Sequence, residues 1–291
     1  MMRSLLFVPG DDERKIAKGL ASEADALILD MEDAVAPQRK AAARELCAAT
    51  LAAGARMKLF VRINALDTGA TLLDLAAVVK ARPFGVMLPK CRNGDDVRLV
   101  SHYLAALEAR EGLPAGDIRI LPIVTETGAA MFGLGGIGGY DNPPLPRLHG
   151  MLWGGEDLAA DLGAITNRDE DGRYAAPYLM ARALCLFASA AASVVAVDAV
   201  YTNFRDAAGL RKEAVEALRS GFSAKAAIHP DQIAVINEAF TPSAADVEAA
   251  RRVIAAFEAS PGAGVASLDG KMLDRPHYRA AQRVLARATD V

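Results

Sequence analysis

The sequence predicts a (β/α)8 barrel, an α/β fold, with a C-terminal helical extension. Three observations predict it. Short apolar runs alternate with longer helix-like segments about eight times. Several of those runs are continuous rather than alternating, as parallel strands buried on both faces require. The residues after each run are charged or small, as expected where strand ends gather on one chemical face.

The expected strands are Ser4–Val8, Ala26–Leu29, Leu59–Ile63, Gly85–Leu88, Ile120–Val124, Gly150–Trp153, Ala196–Val200 and Ala226–Ile228. Helical patterns intervene at Lys40–Ala53, Asp95–Arg110, Tyr178–Ala192 and Ala207–Ser220. The Ala-rich tract from Leu184 to Val200 reads as a buried helix running into a strand. The strand ends read Pro9-Gly10, Asp30-Met31-Glu32-Asp33, Arg62-Ile63-Asn64, Pro89-Lys90, Thr125-Glu126-Thr127, Gly154-Gly155-Glu156-Asp157, Asp198 to Tyr201, and His229-Pro230. A doubly wound open sheet, the alternative, would divide these ends across a crevice instead of ringing them.

The barrel is expected over residues 1–240 and the extension over 241–291. Helix patterns at Asp231–Ala239 and Ala244–Ala259 lead to a Gly-rich stretch, Ser260 to Gly270, and a terminal helix from about Pro276. This tail offers little core of its own. It is expected to lie over the barrel mouth or reach a neighbouring subunit.

Of 291 residues, 52% are hydrophobic, enough for one large core. A net charge of -3 and a pI near 5.9 argue against a nucleic-acid partner, although a few local cations suffice for a small anion. Cys47, Cys91 and Cys185 form no CxxC pair, which fits a reducing, cytoplasmic setting. The apolar start stops at Pro9-Gly10, too short for a signal peptide, and no membrane span is expected.

Glu126 and Asp157 end consecutive expected strands, so the barrel sets them side by side. Two carboxylates with open coordination positions suit Mg²⁺. The alternative leaves Glu126 solvated and makes Asp157 the cap of a helix beginning at Leu158. Arg62 ends the third strand, where a guanidinium can hold a carboxylate or steady an enolate oxygen. It can equally pair with Asp30 or Glu32, so Asp30, Glu32 and Asp33 read as supports. Lys90 could form a Schiff base with a carbonyl substrate or pair with those acids, and pairing is the expectation. His229, before Pro230, is expected to hydrogen-bond its turn rather than act as a base. His102, His149 and His277 form no ligand pattern. The glycines of Gly133–Gly139 read as a loop, and no P-loop, GxSxG or HExxH occurs.

Taken together, Arg3-Ser4-Leu5-Leu6-Phe7-Val8-Pro9-Gly10, Leu29-Asp30-Met31-Glu32-Asp33-Ala34-Val35, Arg62-Ile63-Asn64, Leu88-Pro89-Lys90, Glu126-Thr127, Gly155-Glu156-Asp157-Leu158, Ile228-His229-Pro230 and Asp269-Gly270-Lys271-Met272-Leu273-Asp274 resemble the HpcH/HpaI aldolase and citrate lyase β-subunit family, in its stand-alone branch. The resemblance implies a (β/α)8 barrel and Mg²⁺, with Mn²⁺ as a substitute. It implies cleavage or formation of a 3-hydroxyacyl thioester such as malyl-CoA or citramalyl-CoA. It assigns the metal to Glu126 and Asp157, substrate contact to Arg62 and Glu126, and the coenzyme A path to Phe7, Val8, Lys18, Ile228 and His229. Asp274 matches a catalytic acid that relatives deliver from an adjacent subunit, which implies a homo-oligomer, a trimer or hexamer. The Met131 to Leu148 segment is longer than the family's pattern, which leaves the substrate open. The competing expectations are an aldolase acting on a free hydroxy-oxoacid and a citrate lyase β subunit serving an acyl-carrier partner in a complex.

Overall fold

The computed structural model describes residues 2–135, 139–259 and 264–289. They form two compact units that divide between Ile236 and Asn237.

The first unit is the barrel. Its strands are β1 (Ser4–Pro9), β2 (Ala26–Asp30), β3 (Lys58–Arg62), β4 (Gly85–Leu88), β5 (Arg119–Pro122), β6 (Gly150–Leu152), β7 (Val195–Asp198) and β8 (Ala224–Ala227). They pair in the order β5-β4-β3-β2-β1-β8-β7-β6, and every pairing is parallel. The ring closes between β5 and β6 through isolated bridges, Ile120 with Leu148 and Ile123 with Leu152. There Val124 N–H donates to Leu152 O at 2.9 Å. This closure is a thinner seam than the five-pair ladders of β1 with β2 and β2 with β3.

Strand parity explains the continuous apolar runs. Leu5, Ala26, Ile28, Phe60, Met87, Leu121, Ile123, Leu152, Val197, Ala224 and Ala226 pack together as the interior of the barrel. The residues between them, such as Leu6, Leu27, Leu29, Val61 and Val86, are also buried, since helices cover the outer face.

Those helices include α1 (Glu13–Leu20), α2 (Lys40–Ala53), α3 (Thr71–Val78), α4 (Gly94–Glu111), α5 (Gly128–Met131), α6 (Glu156–Asp161), α7 (Ala176–Ala191) and α8 (Ala207–Ser220). Asp12, Asn93, Thr127 and Asp206 cap α1, α4, α5 and α8 with side-chain oxygens, satisfying first-turn N–H groups. The Ala-rich tract does run from α7 into β7, but α7 is not buried all round: Met180 and Phe187 are exposed. Its one charge, Arg182, points inward instead. No helix among the described residues is long and apolar enough to cross a membrane.

After a short 3-10 turn, α9 (Ile233–Phe240) spans the division between the units. The second unit holds α10 (Ala244–Glu258), the hairpin strands β9 (Val265–Leu268) and β10 (Lys271–Asp274), and α11 (Arg275–Thr289). One expectation for the tail is corrected here. It does have a small core, in which Phe257, Ala266 and Leu273 pack with Val253, Leu268 and Tyr278. Of the Gly-rich Ser260 to Gly270 stretch, residues 260–263 lie outside the described residues, and most of the rest is hairpin. Its turn is Asp269-Gly270, with φ of 50° and 73°, the left-handed pair that a two-residue hairpin turn requires. Of the Gly133–Gly139 glycine loop, residues 136–138 also lie outside the described residues.

Candidate active site

The inward parity of the strands continues into the mouth. Beyond Ala26 and Ile28 comes Asp30, and beyond Phe60 comes Arg62, with Asp30 and Arg62 side by side in the ladder. Ile228 follows Ala224 and Ala226 in the same way. All three residues line a cavity of about 320 Å³, together with Phe7, Val8, Glu126, Trp153, Asp157 and Tyr174. Polar groups are thus held at the end of an apolar stack that cannot collapse around them.

Arg62 is fixed on several sides. Its Nε and Nη2 donate to the two oxygens of Asp30 at 2.8 and 2.6 Å. Its Nη1 stands 2.9 Å from Glu32 Oε2, an ion pair without an aligned hydrogen bond. The guanidinium carbon lies 5.0 Å from the centre of the Phe7 ring. Burial disfavours its charge, but Asp30, Glu32 and Glu126 outweigh that and hold it firmly protonated. Asp30 and Glu32 both contact Arg62, whereas Asp33 pairs with Lys90.

Lys90 ties the acids together. Its ammonium donates to Glu32 and, at 3.0 Å, to Asp33. It also lies 3.5 Å from Asp157 Oδ1. Burial lowers its proton affinity, but hydrogen bonds and charge from Glu32 and Asp33 raise it more. An amine kept protonated in this way is a poor Schiff-base nucleophile. Lys90 also sits at φ 50°, in the left-handed region. This conformation accompanies a backbone N–H donated to Glu126 Oε2.

Glu126 is buried, and burial pushes its carboxyl up to about 8, with the Asp157 and Glu32 charges adding to that rise. Asp157, partly exposed, sits in the first turn of α6. The helix begins at Glu156 behind Gly155, with no side-chain cap, so the reading of Asp157 as a cap at Leu158 is corrected. The start, two residues earlier, places Asp157 inside the first turn and leaves its carboxylate free to face the cavity. A desolvated carboxyl whose proton affinity is raised by a neighbouring carboxylate, both on one cavity wall, is a donor set that suits a hard divalent cation. No group of three or more His, Cys, Asp or Glu side chains able to hold a metal occurs among the described residues.

The other expected residues are distributed differently. Lys18 is exposed in the last turn of α1 and is not part of the cavity lining. His229 Nδ1 accepts the Asp231 N–H at 3.2 Å and its ring stacks on Phe204 at 4.8 Å, so it holds its turn as expected. Asp274 ends β10 in the second unit, with Oδ1 2.5 Å from His277 Nδ1. The sequence reading missed Trp153 and Tyr174 as wall residues, and Asp198 and Lys225 behind them. Only a single tryptophan preceding Gly154-Gly155 could have drawn attention there.

The family described as HpcH/HpaI aldolase/citrate lyase matches residues 3–230. A (3S)-malyl-CoA thioesterase of Cereibacter sphaeroides is 37% identical over 98% of this chain and 94% of its own. The mitochondrial citramalyl-CoA lyase of Mus musculus is 34% identical over 99% of this chain and 86% of its own. The crystal structure of the CitE protein from Mycobacterium tuberculosis, in complex with magnesium, acetoacetate and coenzyme A, superposes with a TM-score of 0.79. It is 33% identical, covering 99% of this chain and 98% of that one.

Proposed function

The chain belongs to the HpcH/HpaI aldolase/citrate lyase family, and from that premise we propose that it is a magnesium-dependent carbon–carbon lyase acting on a 3-hydroxyacyl coenzyme A thioester. Malyl-CoA or citramalyl-CoA would be split into an α-oxo acid and acetyl-CoA, or formed from them. One observation carries this reading: a guanidinium immobilised by Asp30 lines the same cavity as the carboxylates of Glu126 and Asp157.

In the cleavage direction the 3-hydroxyl gives up its proton to solvent water and becomes the oxo group, and solvent later restores the proton that Asp274 donates. The C2–C3 bond breaks, its electron pair passes into the thioester as an enolate, and the enolate carbon then takes a proton. Arg62 steadies the enolate oxygen, held by Asp30 so that no reorganisation is needed as charge develops. Glu126 and Asp157 would hold the divalent cation, which would supply Lewis acidity to the reacting substrate. Lys90, Glu32 and Asp33 keep these groups in place. Phe7, Val8 and Ile228 give the apolar wall along the thioester arm. Asp274, delivered from a neighbouring subunit of a homotrimer or hexamer, protonates the enolate carbon.

The test is turnover of an acyl-CoA panel by the purified chain with Mg²⁺, scored for acetyl-CoA and oxo acid together. Undiminished turnover in excess chelator would overturn the metal assignment. The thioesterase relative favours a second reading, hydrolysis of the same thioester. Free coenzyme A released without acetyl-CoA would select it.

A further inference from the structure

Behind the cavity wall lies a buried network with no part in the chemistry above. Asp198, at the end of β7, points away from the barrel interior and accepts from the Trp153 indole N–H at 2.7 Å. Asp198 is itself held by Arg182 at 2.9 Å and by Lys225 at 2.8 Å, and Lys225 is fully buried. Glu213 takes a second bond from Lys225 and one from Arg168, both at 2.8 Å. Arg168 in turn lies 3.9 Å from the centre of the Tyr174 ring, and Tyr174 meets Trp153 edge to face at 4.9 Å. The indole is therefore gripped both at its N–H and on its ring.

Its far edge is pressed against the catalytic loop. A β-carbon on Gly155 would stand 3.0 Å from Trp153 Cζ3. Gly155 is the residue from which α6 starts, so it sets the direction of the first turn bearing Glu156 and Asp157. Asn167 braces the same turn by donating to Glu156 at 2.8 Å.

We propose that Trp153 is a positioning residue, clamped by Asp198 and Tyr174, whose ring sets the place of Asp157 and hence the affinity for the divalent cation. The inference rests on Asp157 being a metal ligand. A merely structural tryptophan would affect stability and not metal affinity.

The experiment measures Mg²⁺ binding by calorimetry for the parent, Trp153→Phe and Gly155→Ala, alongside thermal melts. Trp153→Phe keeps an aromatic ring but loses both the N–H and the far indole edge that meets Gly155. Gly155→Ala keeps an ordinary backbone, at φ -101° and ψ -20°, and pushes on the indole. Trp153 is the only tryptophan, so emission reports its surroundings directly in the parent and in Gly155→Ala. We expect Mg²⁺ to change the parent's emission. We also expect both variants to bind Mg²⁺ about tenfold more weakly or worse, the scale of removing a group that orients a metal ligand, and Gly155→Ala to alter emission even without metal. Folded variants that bind within threefold of the parent would overturn the proposal. Gly155→Ala alone decides it if Trp153→Phe does not fold. A parent that binds no Mg²⁺ would remove the metal assignment and this inference with it, whereas a parent that binds beside unaffected variants would remove the inference alone.

Discussion

A β-carbon on Gly154 would stand 2.9 Å from Cγ of Glu126, closer than non-bonded carbon atoms pack. Glu126 occupies its place because residue 154 has no side chain. Gly154→Ala is therefore expected to displace the carboxylate and to cost roughly tenfold or more in both Mg²⁺ affinity and turnover, as for other disturbed metal ligands. Calorimetry and steady-state kinetics would check this. Wild-type values in a folded variant would show that Glu126 adapts freely.

The bidentate pairing of Arg62 with Asp30 needs a planar fork, which lysine lacks. Arg62→Lys is expected to lose roughly 10²-fold or more in turnover, the scale of removing one oxyanion donor. A variant within threefold of the parent, about 0.7 kcal/mol by the transition-state relation, would make Arg62 structural only.

The raised carboxyl of Glu126 makes metal-free stability depend on pH. Folding takes up a proton between the ordinary glutamate range and about 8. The stabilisation from that proton is present at low pH and is lost as pH rises through this window. In chelator, Glu126→Gln is expected to melt above the parent at pH 8 and close to it at pH 5. Mg²⁺ competes with the same proton, so the parent's affinity should rise roughly tenfold from pH 6 to pH 7 and level off above about 8. Affinity independent of pH would contradict both expectations.

Lys90 combines a left-handed backbone with a half-buried ammonium, and two substitutions separate them. Lys90→Gly removes the ammonium and suits φ 50°. Lys90→Val removes it and is strained there. Urea melts are expected to place valine about 1–2 kcal/mol below glycine. Equal stabilities would mean that the backbone relaxes, and with it the N–H donated to Glu126.

The role of Asp274 is tested by subunit exchange. Asp274→Asn and Glu126→Ala proteins are each expected to be inactive alone and to recover activity when mixed. Demonstrated exchange without recovery would place Asp274 outside a neighbouring site.

Much of the barrel was legible because its strands are apolar on both faces, so that Ala26–Leu29 or Gly85–Leu88 stand out as runs. The mouth was legible because inward parity carries from Phe60 to Arg62 and from Ile28 to Asp30. The hairpin was not: Asp269-Gly270 is a turn signal, but the strands beside it are four residues each, with one buried residue apiece. The start of α6 lies two residues before the sequence-based expectation, because Asp157 is a good capping residue and Gly155 a quieter one. The clamp on Trp153 was invisible for another reason. Lys225 within a strand reads as a solvent-facing charge, and its partners Asp198 and Glu213 lie 27 and 12 residues away. Such pairings belong to the folded packing and have no local pattern.

The β5–β6 joint is spanned by isolated bridges, where β1, β2 and β3 share ladders of five pairs. Glu126 follows one side of that joint and Asp157 follows the other. A cation gripped by both would act as a clasp, making the hoop mechanically continuous only when loaded. Amides at 120–124 and 148–152 would then exchange with deuterium faster than those of β1 and β2 in the metal-free protein, and slow down on loading. At a concentration 100 times the dissociation constant, the clasp would add about 2.7 kcal/mol to the resistance against opening.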